Sequence, residues 1–181
     1  ANGEVTYFFH TSVDNSIKNQ FRQAFTSWES VPGVSLDIQE SGTFSGDPNS
    51  DDGLNAIVWV TTAWRELNFR PPSNALAVTL LSFNASDGTI YDADIFFNAE
   101  TFSWGNAEIS GQESSVDIQN IATHEIGHLL GLDHSSEEYF ETDESLADAT
   151  MYYASSAGET TRRDLKDDDR YGLRALYGST T

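Results

Sequence analysis

Four residues within one short stretch carry the strongest chemical signal in this 181-residue chain: His124, Glu125, His128 and His134, spaced HExxHxxGxxH. Residues four apart on a helix lie about 40° apart around the axis and one turn up, so the imidazoles of His124 and His128 reach one cation. Gly131 lets the chain turn sharply after such a helix, and His134 can then swing back as a third nitrogen ligand. Three neutral imidazoles around Zn²⁺ leave a fourth position open for water, the arrangement of a catalytic rather than a closed structural centre. Such a metal lowers the pKa of its water to roughly 7. Glu125 does not readily join the ligand face, but it can reach the water as general base and later pass the proton to a leaving amine. HExxH alone occurs by chance; the longer string is far more specific, and it takes three of the four histidines in the chain. The fourth, His10, ends a strand and reads as a surface or hydrogen-bonded residue without a role.

This constellation needs a helix beneath it. Ile118, Ile121, Ala122, Ile126, Leu129 and Leu130 form one apolar stripe within residues 114–134. Ser114 or Ser115 can cap that helix, Asp117 favours its first turn, and Gly131 is placed to end it. Upstream, Val5, Tyr7 and Phe9 alternate in a strand over 4–10, and Ile17, Phe21, Ala24, Phe25 and Trp28 recur at helical spacing before Pro32-Gly33. Val34, Leu36 and Ile38 alternate in a second strand, followed by a loop over 41–53. Residues 55–61 read as a continuous apolar strand covered on both faces. Pro71-Pro72 breaks the chain; strands at 75–83 and 89–97 follow, joined by a turn at 84–88. Residues 133–148 form a polar loop with seven acids and no Lys or Arg, and 165–177 read as a last helix. Five strands, one early helix and two late ones predict a single α+β domain.

Composition narrows the classes of function. Nine Lys and Arg against 29 Asp and Glu give a net charge of −20, which excludes a nucleic-acid binder working through a basic face. No apolar run approaches the roughly 20 residues of a membrane span. Cysteine is absent, so disulfides and thiolate metal sites are excluded. A Lys-poor acidic surface suits a salty medium, where screening relieves self-repulsion, or serves solubility alone. Ala1-Asn2-Gly3-Glu4 begins no signal peptide, so an exported protein would here be in its processed, secreted form.

HEIGHLLGLDHS, with Ser135 after the third histidine, resembles the metzincin zinc peptidases and specifically the matrixins, the matrix metalloproteinase group. Ala149-Thr150-Met151-Tyr152 matches the Met turn that metzincins carry beneath the zinc, and Met151 is the sole methionine. LKDDDRYGLRALYG at 165–178 is similar to the family's closing helix. ALAVTLL and GTIYDADIFFN sit where matrixins place their substrate-binding edge strand and the strand after it. The resemblance implies a twisted five-stranded mixed sheet packed on two helices, with an upper lobe over 1–131 and a lower lobe over 132–181 carrying the Met turn and last helix. It also implies a monomeric, secreted zinc endopeptidase acting on protein or peptide substrates. An extended peptide would lie antiparallel to the edge strand near Leu76 and Ala77.

Departures from the family pattern are informative. Animal matrixins bind a second, structural zinc through three His and an Asp; the matching positions here hold Val78 and Asp94, so one zinc per chain is expected. Tyr153 stands where many members have Pro, in the wall of the pocket for the side chain after the scissile bond. The interval from His134 to Met151 is longer than usual and contains the acidic loop. The resemblance implies calcium as well, with Asp87, Asp92, Asp94 and Glu100 as candidate ligands. Asp47, Asp51 and Asp52, or the acids of 137–148, are alternatives. A competing reading is a zinc-bound but inactive module that holds peptides in the same groove; intact Glu125 argues against it. A hydrolase of something other than peptides has no supporting feature.

Overall fold

Alternating apolar side chains near the amino terminus and a continuous apolar run at 55–61 build the centre of a sheet. In the computed structural model, which describes residues 3–48, 51–109 and 111–178, five strands run in the order β2-β1-β3-β5-β4. They are β1 (Glu4–His10), β2 (Asp37–Phe44), β3 (Asn55–Val60), β4 (Ala77–Phe83) and β5 (Ile90–Asn98). All neighbouring pairs are parallel except β4, which runs antiparallel to β5 and forms one edge of the sheet. The first two residues of the amino-terminal segment read above, Ala1 and Asn2, lie outside the described residues.

One face of the sheet carries the main core. Helix α1 (Lys18–Glu29) buries Phe21, Ala24, Phe25 and Trp28 against it, and Tyr7 of β1 stacks on Phe25 with ring centroids 3.9 Å apart. Helix α2 (Ile118–Leu129) buries Ile118, Ile121, Ala122, Ile126 and Leu129 in the same core. Trp28 is fully buried, and its indole N–H donates to the Thr123 carbonyl at 2.8 Å, fastening α1 to α2 one residue before His124. Truncating a tryptophan in such a place costs about 3–5 kcal/mol. The opposite face holds a smaller cluster of Ala56, Val58, Val60, Trp64 and Phe96. β3 is thus covered on both sides, which is why its apolar run is continuous rather than alternating.

A five-stranded mixed α+β fold with α1 and α2 on one face agrees with the expectation; several boundaries do not. The second strand lies at Asp37–Phe44 rather than 34–38, so residues 41–44 belong to a strand and not to a loop. Parallel pairing with β1 on either side (Tyr7↔Glu40, Phe9↔Thr43, His10↔Phe44) carries the strand across an irregularity at Ser41 and Gly42, where Gly42 takes φ +110°. Val34 instead forms an isolated bridge with Gly178. A two-stranded parallel ribbon of β6 (Trp104–Gly105) and β7 (Val116–Asp117) precedes α2, and a 3₁₀ turn spans Trp64–Glu66; neither has a clear periodic signal. β7 holds the chain extended up to Asp117, so the helix begins at Ile118. Its cap is Asp117, not Ser114 or Ser115: Oδ1 accepts the Asn120 N–H at 2.8 Å.

Beyond α2 the chain forms α3 (Glu144–Ala147), a 3₁₀ turn at Thr161–Arg163 and α4 (Asp167–Tyr177). The acidic segment 133–148 is therefore not wholly loop; Asp143 caps α3 by accepting from Ser145 N–H at 2.9 Å. The Tyr177 hydroxyl donates to the Leu130 carbonyl at 2.9 Å, tying α4 to the end of α2. Among the described residues no helix is long and apolar enough to cross a membrane.

Candidate active site

Helix α2 ends in a turn that only a residue tolerating left-handed backbone can make. Gly131 has φ +93°, its N–H donates to the His128 carbonyl at 2.8 Å, and Leu132 N–H donates to Gly127 at 3.0 Å. This reversal carries His134 back over the helix. The three Nε2 atoms converge: His128 lies 3.2 Å from His124 and 3.1 Å from His134.

The opposite ring nitrogens determine what these convergent atoms are. His124 Nδ1 meets the Thr150 carbonyl at 2.8 Å, His128 Nδ1 meets the Leu132 carbonyl at 2.8 Å, and His134 Nδ1 meets Glu137 Oε1 at 2.5 Å. Carbonyl and carboxylate oxygens only accept, so each Nδ1 carries the proton and each Nε2 turns a lone pair inward. Three facing lone pairs repel one another unless a cation sits among them. A tetrahedral zinc with bonds of 2.0–2.1 Å separates its nitrogens by about 3.3 Å, close to the spacings found. The residues present therefore fit zinc. Burial, and secondarily the neighbouring His128, holds His124 well below the usual imidazole range; burial lowers His128 as well. Both stay neutral and available as ligands.

Glu125 lies beside the triad, 6% exposed. Burial pushes its carboxyl up to about 7, opposed by a hydrogen bond from Thr79. Thr79 Oγ1 donates to Glu125 Oε2 at 2.6 Å and also reaches the Glu125 carbonyl at 3.2 Å. A cavity of about 600 Å³ opens over these groups, lined by 74–79 and Leu81 on one side and by Tyr152, Tyr153 and Ala154 on the other. Leu76 and Ala77 thus face it where the edge strand begins. Tyr153 forms part of its wall, its ring centroid 6.4 Å from that of His134.

Behind His124 lies the turn at 149–152, closed by Tyr152 N–H donating to Ala149 at 3.1 Å. Met151 is 1% exposed and lies in the main core. Fully buried Asp169 of α4 holds this turn: Oδ1 accepts from Met151 N–H at 2.9 Å, and Oδ2 accepts from Thr150 at 2.9 Å and Lys166 at 2.7 Å. Arg162 completes the support by donating to the Ala149 carbonyl at 2.7 Å. The start of α2 is fixed in a similar way, since the fully buried Asp117 side chain takes both Arg163 Nε (2.9 Å) and Nη2 (2.6 Å). Sequence reasoning missed these roles of Asp117, Asp169, Thr79, Arg162 and Arg163. Only Asp117, directly before an apolar helical run, had a local signal.

The acids considered for calcium are dispersed. Asp92 Oδ1 accepts from Gly53 N–H and Asp94 Oδ1 from Ala56 N–H, both at 2.8 Å, and the charges of Asp51 and Asp52 act on both carboxyls. Burial pushes Asp94 up to about 7. Asp87 closes its own turn by accepting from Thr89 N–H, and Glu100 caps the Trp64–Glu66 turn by accepting from Ala63 and Trp64. Among the described residues, the groups of three or more ligand-bearing side chains with ligand atoms close together are His124–His128–His134 and Asp133–His134–Glu137. Val78 packs against the smaller apolar cluster.

The matrixin family profile matches residues 2–178. The chain is 32% identical to metalloendoproteinase 1-MMP of Arabidopsis thaliana over 93% of its own length and 39% of that protein's. It is 29% identical to metalloendoproteinase 1 of Glycine max (97% and 50%) and 28% identical to the hatching enzyme of Paracentrotus lividus (99% and 26%). It spans half or less of the length of these curated relatives. With the match running over almost the whole chain, and with three inward-facing imidazoles set over a methionine turn, the chain belongs to the matrixin family.

Proposed function

We propose that this chain is the catalytic domain of a secreted zinc-dependent endopeptidase that hydrolyses peptide bonds in extended segments of proteins. The carrying observation is the convergence of three Nε2 lone pairs beside a buried carboxylate, at the floor of a cleft bounded by an unpaired sheet edge. His124, His128 and His134 would hold the zinc, which when bound polarises a carbonyl and acidifies a water. Glu125 takes the proton of the water that adds to the scissile carbonyl and returns it to the leaving amine nitrogen. Backbone groups at Leu76 and Ala77 would pair with the substrate as an added antiparallel strand, and Tyr153 would wall the pocket for the residue after the cut. In this reading residues 1–131 and 132–181 are the two lobes flanking the cleft. Calcium near Asp92 and Asp94 and a monomeric state belong to the same reading; the charges of Asp51 and Asp52 acting on both carboxyls support the former.

The test is Glu125→Gln assayed on casein and on a fluorogenic peptide, with metal analysis. The variant should retain zinc and lose at least about 100-fold in kcat, because an amide can bind water but cannot accept its proton. His124→Ala should lose zinc together with activity. A zinc-loaded wild-type chain that binds peptides without cleaving them would establish the inactive module instead.

A further inference from the structure

Residues of β4 alternate between the two faces of the sheet: Val78 and Leu80 pack with the smaller apolar cluster, so Thr79 faces α2. There its hydroxyl meets Glu125 Oε2 at 2.6 Å, a separation characteristic of a hydrogen bond to a charged oxygen. Among the described residues no other side chain bonds to this carboxylate, although it is buried. Resting on the reading of Glu125 as general base, we propose that Thr79 is a positioning residue: it clamps Oε2 to the edge strand and leaves Oε1 to exchange protons with the reacting water.

The physical need is specific. Glu125 follows a metal ligand on the same helix, and a flexible carboxylate there can swing toward the cation or into the cavity. Either movement removes the base from the line of attack, and a misplacement of about 1 Å can cost on the order of 100-fold in rate. The single hydroxyl proton goes to the carboxylate at 2.6 Å with the same residue's carbonyl in secondary reach at 3.2 Å, and this restrains the side chain relative to its own backbone. The anchor sits on the strand whose free edge would take the peptide, so the element that aligns the scissile bond also aligns the base. No local pattern marks Thr79, because it meets Glu125 only through packing of β4 on α2.

Thr79→Val keeps shape and β-branching while removing the hydroxyl; Thr79→Ser keeps the hydroxyl. Thr79→Val should lower kcat about 10- to 100-fold, the range for a lost hydrogen bond to a charged group, with KM within about twofold and zinc content unchanged. Thr79→Ser should recover to within about threefold of wild type. A second readout uses the metal-free protein at pH 8. There Thr79→Val should lower Tm by about 2–4 °C in the wild-type background and by clearly less in a Glu125→Ala background. Unchanged kcat in Thr79→Val, equal losses in the Ser and Val variants, or equal Tm drops in both backgrounds would overturn the proposal. If Val at 79 prevents folding, Thr79→Ala takes its place in both assays. Should Glu125→Gln turn over like wild type, the general-base reading falls, and the melting cycle still decides whether the two side chains are coupled.

Discussion

Replacing Gly127 by Ala tests whether packing or backbone preference governs the helix that carries the ligands. Gly127 has no left-handed φ, so helix preference alone makes alanine better by about 1 kcal/mol. Space argues the other way. A Cβ at this position would lie 2.2 Å from Met151 Sδ, 3.1 Å from its Cε and 2.8 Å from Trp28 Cζ2, where carbon contacts normally fall near 3.5–4.0 Å. Neither neighbour has an easy retreat, since Met151 is 1% exposed and Trp28 is fully buried with its indole bonded to Thr123. Overpacking costs about 1–3 kcal/mol, so the net change should be a destabilisation of up to about 2 kcal/mol, or a Tm lower by up to about 8 °C. Displacing Met151 also disturbs Thr150, whose carbonyl orients His124, so zinc should bind more weakly too. Thermal melts of the metal-free protein and a chelator competition measure the two effects. Adding Met151→Ala to Gly127→Ala should relieve the clash and recover part of the zinc affinity. A Gly127→Ala protein that melts at or above the wild-type temperature would refute the reasoning.

Glu137→Gln removes the carboxylate that orients His134 and should weaken zinc binding by about tenfold in chelator competition; an unchanged Kd would show the contact to be idle. Asp94, pushed up to about 7, favours its protonated form in the folded state, so its contribution is full below the unfolded value of about 4 and is lost as pH rises through 7. Asp94→Asn should therefore flatten the fall in Tm of the metal-free, calcium-free protein between pH 5 and 8; identical slopes would exclude this origin. Glu137, Glu138, Asp143 and Glu144 are exposed in the segment after His134, and Tyr152 ties it to the cleft wall by donating to the Glu138 carbonyl at 2.7 Å. Peptides with Lys or Arg after the scissile bond should thus show a kcat/KM advantage that shrinks with NaCl, and equal cleavage of acidic and basic peptides at low salt would remove the loop as a source of preference.

What could be read from the residues alone was what lies close along the chain. HExxHxxGxxH places all its members within three helical turns and one reversal, so spacing alone brings them together. Met151 needed the family pattern, since a lone methionine otherwise reads as core filler. The missing parts are tertiary. Thr79 and Glu125 are 46 residues apart, as are Asp117 and Arg163, and neither pair shares a periodicity. The second strand was misplaced because its register is set by β1, which pairs with Glu40 and again with Thr43 across an irregularity at Ser41 and Gly42 that reads locally as a loop. The acids of 87–100 read as one cluster because they are close in number, yet the pleat and the turns send their carboxylates to different backbone amides.

The grip of Asp169 on Thr150 and Met151 has a consequence for when the centre matures during synthesis. A ribosome-bound chain displays every histidine of the triad well before residue 169 has left the exit tunnel. Until then the carbonyl that orients His124 belongs to a turn without its carboxylate clamp, and early metal capture would fall to a loosely arranged set of imidazoles. Tight zinc loading is thus expected only once the last helix has been completed.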